Sequence, residues 1–253
     1  MILDLFRLDG QVAIITGGNR GLGLGIAQAL AEAGAHIVSV QRSDDTAQLA
    51  QAVAATGRES LSLSLDIAED DAAQRVLDAT LARFGRADIL VNNAGMQKRH
   101  PADQFPLEDF DAVIDVNLRA VFQFCKTFGA HMLTQGHGKI INVASLLSFQ
   151  GGITVPAYAA AKHGVAGLTK AFSNEWASKG VNVNAMAPGY MDTDMNVALK
   201  ADGQRNQAIS ARIPAGRWGQ PEDMGGLTVF LASRAADYVH GQIIAVDGGW
   251  LAR

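Results

Sequence analysis

The chain has 253 residues, of which 48% are hydrophobic and 18% are charged, so it is long enough for one α/β domain with a large buried core. The formal net charge of −4 excludes the strongly basic surface that a nucleic-acid partner requires. The single cysteine, Cys125, excludes an internal disulfide and a cysteine metal cluster, and its apolar neighbours indicate a buried thiol. Because the sequence shows no 18-residue apolar segment and no signal-peptide pattern, we expect a cytoplasmic protein without a membrane segment.

Short apolar runs alternate with helical patterns along the whole chain. The predicted strands cover residues 11–16, 36–40, 61–65, 88–91, 139–143, 181–187 and 242–246. The predicted helices cover residues 22–33, 44–56, 70–84, 107–133 (one helix or two), 158–179 and 221–233. This alternation predicts βαβ units, and therefore one α/β domain over residues 1–253 with a parallel sheet of about seven strands and helices on both faces.

Residues 191–218 lie between the sixth predicted strand and the last predicted helix, and they are the stretch least committed to the sheet. Long excursions at the carboxyl edge of a parallel sheet often cover a ligand site. We therefore interpret residues 191–218 as a candidate substrate lid.

Three glycines, Gly17, Gly21 and Gly23, follow the first predicted strand and open the first predicted helix. Glycine permits positive φ and lets backbone N–H groups approach a phosphate, whose charge the helix N-terminus stabilises. The spacing differs from G-x-G-x-x-G, but the strand–turn–helix setting still favours a nucleotide.

Tyr158 and Lys162 are four residues apart in a run of small helix-forming residues, so a helix places both side chains on one face. A neighbouring ammonium group favours the phenolate, so we expect the pKa of Tyr158 to be lowered toward the range useful for general acid–base catalysis. Taken alone, such a pair is common on the surface of helices.

Together these motifs resemble the classical short-chain dehydrogenase/reductase family over essentially the whole chain. The resemblance depends on Thr16-Gly17-x-x-x-Gly21-x-Gly23, Asn92-Asn93-Ala94-Gly95, Asn117, Ser145 and Tyr158-x-x-x-Lys162. It implies a single, doubly wound Rossmann-type domain, an NAD or NADP cofactor, and a homotetramer whose interfaces are the helices 109–133 and 158–179 and the C-terminal tail.

The resemblance also implies four catalytic residues. Tyr158 exchanges a proton with the substrate oxygen, Ser145 hydrogen-bonds the same oxygen, and Lys162 lowers the pKa of Tyr158 and holds the nicotinamide ribose. Asn117 disturbs its helix and positions a water molecule that connects Lys162 to solvent. The alternative for Ser145 is a loop serine that caps a turn.

The cofactor residues that the resemblance implies lie at the ends of several strands. They are Gly17, Asn19, Arg20, Gly21, Leu22, Gly23, Gln41, Arg42, Asp66, Ile67, Asn92, Asn93, Ala94, Gly95, Tyr158, Lys162, Pro188, Gly189, Met191 and Thr193. Asp66 is similar to the residue that accepts the adenine amino group, with a helix cap as the alternative. Thr193 is similar to the hydroxyl that holds the nicotinamide carboxamide, with an ordinary turn residue as the alternative.

The choice between NAD and NADP stays open. NAD-preferring members often carry an acidic residue at the end of the second strand, where this chain has Gln41. Arg42 and Arg20 suggest a 2′-phosphate and therefore NADP, unless they point into solvent.

One branch of the family, the 2-deoxy-D-gluconate 3-dehydrogenases of uronate breakdown, is especially similar to this chain, and it suggests NAD. The segments that carry this likeness are residues 1–3, 148–153, 212–219 and 245–253. A sugar-acid substrate requires a cation and polar neighbours, for which Lys98, Arg99 and Gln150 are candidates beside Ser145 and Tyr158, each with a solvated loop residue as the alternative.

Other functions stay open at this point. Within enzymes, the alternatives are a gluconate 5-dehydrogenase and a 3-oxoacyl-thioester reductase. From another class, the alternative is a dinucleotide-binding regulator that has lost the reaction. The six histidines show no ligand spacing beyond chance, so we predict no metal site.

Overall fold

The computed structural model describes residues 1–253, apart from the side chain of Ala198. Its seven strands form one all-parallel sheet in the order β3-β2-β1-β4-β5-β6-β7. The strand order reverses between β1 and β4, and ligands of such sheets bind at the carboxyl ends of the strands beside this reversal. The strands are β1 (Val12–Thr16), β2 (His36–Gln41), β3 (Ser60–Ser64), β4 (Ile89–Asn92), β5 (Gly138–Val143), β6 (Val181–Pro188) and β7 (Ile243–Val246).

Helices cover both faces of the sheet, because the central strands have apolar side chains on both sides, as β1 illustrates. Val12 and Ile14 pack into one apolar cluster, whereas Ala13 and Ile15 pack into another, because alternate residues of a strand face opposite sides. The helices are α1 (Gly21–Glu32), α2 (Ala47–Ala54), α3 (Ala72–Phe84), α4 (Leu107–Ile114), α5 (Ala120–Gln135), α6 (Pro156–Trp176), α7 (Val197–Ala201), α8 (Gly203–Arg212) and α9 (Gly225–Ala232).

The predicted parallel sheet with helices on both faces is confirmed, and all seven predicted strands are present. The predicted helix 44–56 is shorter, because α2 covers only Ala47–Ala54. The predicted region 107–133 contains two helices joined by a π-helical turn, Asp115–Arg119. Among the described helices, none combines the length and apolar character needed to cross a membrane.

Residues 191–218 contain α7 and α8, and this segment has a small apolar core of its own. Ile209 and Trp218 are buried there together with Leu146, which follows β5, and Trp250 of the C-terminal tail. The segment is therefore packed onto the carboxyl edge of the sheet.

Candidate active site

The glycine turn after β1 is held against the end of β4 by four hydrogen bonds. The Thr16 Oγ1 accepts the backbone N–H groups of Asn93 and Ala94, both at 3.0 Å. The Asn93 side-chain amide donates to the carbonyls of Thr16 (3.0 Å) and Gly17 (3.1 Å). Asn93 is thus a brace of the turn, and this brace uses both of its amide donors.

The three glycine positions of the turn, Gly17, Gly21 and Gly23, are poorly suited to residues with a side chain. Gly17 and Gly21 have φ of +69° and +53°, which L-residues with a side chain rarely adopt. A Cβ atom at Gly23 would lie 1.9 Å from the carbonyl oxygen of Gly17. The bare backbone and the N-terminus of α1 therefore form a cradle that fits the pyrophosphate of a dinucleotide.

The end of β2 carries cations but no carboxylate at the position of Gln41. The Gln41 side chain is buried, and its Oε1 accepts a hydrogen bond from Ser39 Oγ. The Asn19 amide donates to the carbonyl of Asp45 at 3.0 Å, which ties the glycine turn to the loop after β2. This contact connects the segments that carry Arg20 and Arg42.

The guanidinium groups of Arg20 and Arg42 are largely exposed, and each side chain has 76% of its surface accessible. Their ion pairs are long, at 3.9 Å from Arg20 to Asp194 and 4.0 Å from Arg42 to Asp66. Asp66 also accepts the N–H of Ala68 at 3.0 Å, so the turn-capping alternative for this carboxylate is present in the structure.

Some predicted cofactor residues are turned away from the crevice. Asn92 is buried, and its amide donates to Asn142 Oδ1 at 2.9 Å on the core side of β4. The side chains of Ile67 and Met191 lie in the apolar core, at 8% and 3% exposure. The side chains of these three residues therefore face the core, and their part in cofactor binding stays a prediction.

Other predicted cofactor residues lie close to the turn or at the end of β6. The Thr193 side chain lies 3.8 Å from the point where a Cβ at Gly21 would stand. Pro188 ends β6, and a Cβ at Gly189 would lie 2.6 Å from the Cα of Asp247. Leu22, in the first turn of α1, is partly buried against the core, and Gly95 lies against Asn117.

Asn117 lies in the π-helical turn between α4 and α5 and is fully buried. Its Oδ1 accepts the N–H of Met96, and its Nδ2 donates to the carbonyl of Met96, both at 2.8 Å. The helix is therefore disturbed at the residue that the family resemblance singled out, and the disturbance fixes the strand-end segment that follows β4.

Tyr158 and Lys162 lie one turn apart near the start of α6, which begins at Pro156. The Lys162 Nζ donates to the carbonyl of Val143 at 2.6 Å and stands 5.6 Å from the centre of the Tyr158 ring. Only 3% of Lys162 is exposed, and this burial lowers its pKa to about 8.

The pKa of Tyr158 is raised, chiefly because burial disfavours the phenolate. A hydrogen bond with Ser145 and the charge of Arg99 act in the opposite direction but do not outweigh burial. The prediction that Lys162 lowers this pKa is therefore wrong for the protein itself. The lysine ammonium donates to the Val143 carbonyl and is itself desolvated.

Ser145 follows β5 and combines two contacts. Its Oγ accepts the N–H of Leu147 at 3.2 Å, so it caps the short turn as the alternative predicted. The same hydroxyl lies near enough to Tyr158 to act toward a lower pKa of that phenol. The structure thus brings Ser145, Tyr158 and Lys162 together at the carboxyl edge of β5.

Lys98 and Arg99 are adjacent in sequence but differ in their surroundings. Lys98 Nζ pairs with Asp109 at 3.0 Å, and Asp109 also contacts His100 at 2.7 Å. Arg99 donates to Gln97 Oε1 at 2.9 Å, and its charge acts on Tyr158. Of the two cations, Arg99 is the one directed toward the tyrosine, and Lys98 is neutralised elsewhere.

Gln150, the third candidate for substrate binding, is half-buried just beyond the turn that Ser145 caps. Its backbone N–H donates to the carbonyl of Leu146 at 3.2 Å. The backbone of Gln150 is therefore part of the same turn as Ser145, near the start of the loop that leads to α6.

Sequence reasoning missed three groups that shape the site. These are the Thr16 hydroxyl, the Val143 carbonyl and the backbone of Met96. Only Thr16 has a recognisable signal, since it is a hydroxyl residue at the end of a strand directly before the glycines. The described residues contain no group of three or more side chains that could hold a metal ion.

A family model described as enoyl-(acyl carrier protein) reductase, adh_short_C2, matches residues 17–251. The chain belongs to the short-chain dehydrogenase/reductase family, and it is an NAD(P)-dependent oxidoreductase of that family. The resemblance seen in the motifs is therefore confirmed.

Over nearly its full length, the chain is similar to dehydrogenases that are named for sugar-acid substrates. It is 52% identical to the 2-dehydro-3-deoxy-D-gluconate 5-dehydrogenase of Bacillus subtilis over 250 residues, 99% of this chain and 98% of that one. A provisionally assigned 2-deoxy-D-gluconate 3-dehydrogenase from Agrobacterium tumefaciens, solved with bound NADP, is 52% identical with a TM-score of 0.93, over 99% and 100% of the two chains. A gluconate 5-dehydrogenase from Burkholderia cenocepacia, in complex with NADP and tartrate, is 44% identical with a TM-score of 0.95, over 100% of both chains.

Proposed function

We propose that the chain interconverts a ketone and a secondary alcohol on a 2-dehydro-3-deoxygluconate-type sugar acid, as in the breakdown of uronates. The observation that carries this proposal is the pair Tyr158 and Lys162 on α6 at the end of β5, with Ser145 and the charge of Arg99 near enough to act on the pKa of Tyr158. A hydroxyl and a phenol can bind one reacting oxygen, while a guanidinium binds the carboxylate of the same substrate. The names of the full-length relatives support this substrate class.

The proposed chemistry follows from the protonation of the two central residues. Burial keeps Tyr158 a neutral phenol at neutral pH, which suits proton donation to a carbonyl oxygen during reduction. Ser145 holds that oxygen, and Lys162, mostly protonated at pH 7 with a pKa of about 8, returns a proton to Tyr158. We propose that the π-helical turn at Asn117 positions a water molecule that connects Lys162 to solvent, as the family resemblance implies.

A bound nicotinamide dinucleotide would supply the hydride in reduction or accept it in oxidation. We propose that the backbone of Gly17 to Gly23 holds its pyrophosphate and that Lys162 holds the nicotinamide ribose. Arg20 and Arg42 would bind a 2′-phosphate, since their guanidinium groups are exposed and only weakly paired. The cofactor would therefore be NADP, as in the solved relatives.

We also propose a homotetramer. Exposed apolar side chains lie on the helices that the family uses for assembly. Leu107 of α4 is 79% exposed, and Phe122 of α5 is 43% exposed while stacking on Phe172 of α6 with ring centres 5.9 Å apart. Burial of this surface between copies would stabilise an oligomer. Light scattering after size exclusion gives the mass of the assembly, and a monomer of 26.7 kDa would contradict the proposal.

The function is tested by measuring absorbance at the nicotinamide band with a panel of substrates. The two deoxy sugar acids, 2-dehydro-3-deoxy-D-gluconate and 2-deoxy-D-gluconate, carry the reacting alcohol and are assayed with NADP⁺ and NAD⁺. The two ketones, 5-keto-D-gluconate and a 3-oxoacyl thioester, are assayed with NADPH and NADH. We expect the deoxy sugar acids to have the highest kcat/KM, and the reacting carbon, C3 or C5, follows from which of them turns over. Faster thioester reduction would contradict the proposal. Cofactor binding without any turnover would indicate a regulator instead.

A further inference from the structure

Helix α8 places Arg205 on the side of the candidate lid that faces the site. Arg205 and Ile209 are four residues apart, so they lie on one stripe of the helix. Ile209 is buried in the same apolar cluster as Leu146, which directly follows Ser145. The stripe that carries Arg205 is therefore turned toward the carboxyl edge of β5.

The orientation of α8 is fixed from both sides. Asp202 caps the helix by accepting the backbone N–H of Arg205 at 3.1 Å. The indole N–H of Trp218 donates to Asn206 Oδ1 at 3.0 Å and to Ser210 Oγ at 3.1 Å. The Trp218 ring in turn packs edge-on against Tyr190, with ring centres 5.5 Å apart. These contacts hold α8 in the orientation that turns the stripe of Arg205 and Ile209 toward the site.

Arg99, in the loop after β4, lies near enough to Arg205 for the two like charges to act on each other. Burial and the like charge of Arg205 lower its pKa, whereas Tyr158 and Tyr190 act to raise it. Within the part of the chain that the structure describes, neither guanidinium pairs with a carboxylate, and the only side-chain partner of Arg99 is Gln97. Two like charges held near one another disfavour each other until an anion binds between them.

We propose that Arg205 is a second carboxylate-binding residue, which closes with Arg99 on the acid group of the substrate from the opposite wall of the site. The inference rests on the proposed function and deepens it, because it names the residue by which residues 191–218 recognise charge. Guanidinium groups suit this task since each presents a planar fork that matches a carboxylate. The clamp therefore selects sugar acids over neutral sugars.

The test compares the full-length enzyme with Arg205→Gln at saturating NADP⁺, because the substrates carry the alcohol that is oxidised. The two substrates are 2-dehydro-3-deoxy-D-gluconate and its neutral analogue, in which a hydroxymethyl group replaces the carboxylate. We expect Arg205→Gln to raise KM for the acid about 10- to 100-fold, as the loss of a charge-assisted hydrogen bond predicts, and to lower the acid-to-neutral selectivity by the same factor. Calorimetric binding of D-gluconate should weaken in parallel, and Arg205→Lys should recover part of the loss.

Arg234→Gln is the matched control, because it removes the same charge from an exposed arginine in the short 3-10 turn before β7. It should leave both substrates unaffected. An unchanged acid-to-neutral selectivity in Arg205→Gln would overturn the clamp, and so would an equal loss for both substrates. Absence of sugar-acid turnover by the wild-type enzyme would instead overturn the proposed function, so the two failures are distinguishable.

Discussion

The glycine turn and the substrate-facing wall lie at the same edge of the sheet but are built from different parts of the chain. The turn is made of backbone and short side chains, and four hydrogen bonds from Thr16 and Asn93 hold it in place. The wall is made of long charged side chains, Arg99 and Arg205, which stand on a loop and a helix more than a hundred residues apart in sequence. Both residues are exposed overall, and the guanidinium of Arg99 is in addition partly desolvated.

The glycine turn is the proposed site of the cofactor, which is the same for every substrate. The wall of Arg99 and Arg205 is the proposed site of the substrate, and it decides which substrate binds. The proposed dinucleotide site consists of backbone, so most changes at the turn damage the fold itself. The proposed sugar-acid site consists of side chains at the surface, where substitutions usually change stability by little. The wall can therefore change its specificity while the turn stays constant, and Tyr158 with Lys162 stands between the two.

Tyr158→Phe should separate chemistry from binding most strongly. The variant keeps the ring but loses the hydroxyl that exchanges the proton, so we expect kcat to fall about 10²- to 10⁴-fold. NADPH affinity, followed by fluorescence titration, should change little because the turn is untouched. Tyr238→Phe, at a position that is 99% exposed, is the control and should keep full activity. Retention of most of kcat by Tyr158→Phe would show that another group transfers the proton.

Lys162→Met should show how the burial of the Lys162 ammonium makes the free energy of unfolding depend on pH. The lysine has a pKa of about 8 when folded and 10.5 as its ordinary value, so between these pH values the unfolded chain holds more protons. The free energy of unfolding of the wild type should therefore rise relative to that of the variant as the pH increases from 8 toward 10.5, by up to about 3 kcal/mol. Urea unfolding of both proteins at pH 7, 9 and 10 measures this difference. A difference that is constant with pH would mean that Lys162 is solvated.

Gly23→Ala should damage the cofactor end through the backbone. Because a new Cβ would meet the Gly17 carbonyl at 1.9 Å, we expect a loss of about 1–3 kcal/mol in the free energy of unfolding, together with much weaker NADPH binding. Gly226→Ala is the matched control, since a Cβ there meets no atom within 4 Å, and it should leave stability unchanged or slightly higher. Equal stability of the two variants would show that the backbone at Gly17 can move away from residue 23 without loss of stability.

The sheet could be predicted because its strands are continuous apolar runs, and burial on both faces leaves little else for such runs to form. The helix boundaries were predicted wrongly where local side-chain hydrogen bonds compete with the helix. Residues 44–46 remain outside α2, and there Ser43 Oγ accepts the N–H of Asp45. The π-helical turn at Asp115–Arg119 was foreseen only through the family resemblance, since the apolar pattern continues on both sides of it. The cytoplasmic location stays a prediction.

At the site, pairs fixed by one helix or one turn could be predicted, such as Tyr158 with Lys162. Properties set by distant parts of the chain could not. The raised pKa of Tyr158 depends on burial by several segments. Lys98 and Arg99 carry equivalent signals in the sequence, and only the position of Asp109 decides which of them stays available. Arg205 carried no signal, because its role depends on how α8 packs against Leu146 and Trp218.

Arg42→Ala should have the smallest effect of these variants. It tests the contrast between the backbone-built turn and the side-chain-built wall, because Arg42 is a long exposed side chain at the cofactor end. We expect the preference for NADPH over NADH, measured as the ratio of kcat/KM values, to fall about 10-fold, as one exposed charge-assisted contact predicts. The kcat/KM for NADH should stay constant. Since the side chain is 76% exposed, salt should screen the contact, and the effect should shrink between low and high ionic strength. An equal loss with both cofactors would place Arg42 on a part of the dinucleotide that they share, and the 2′-phosphate would then have to be bound elsewhere.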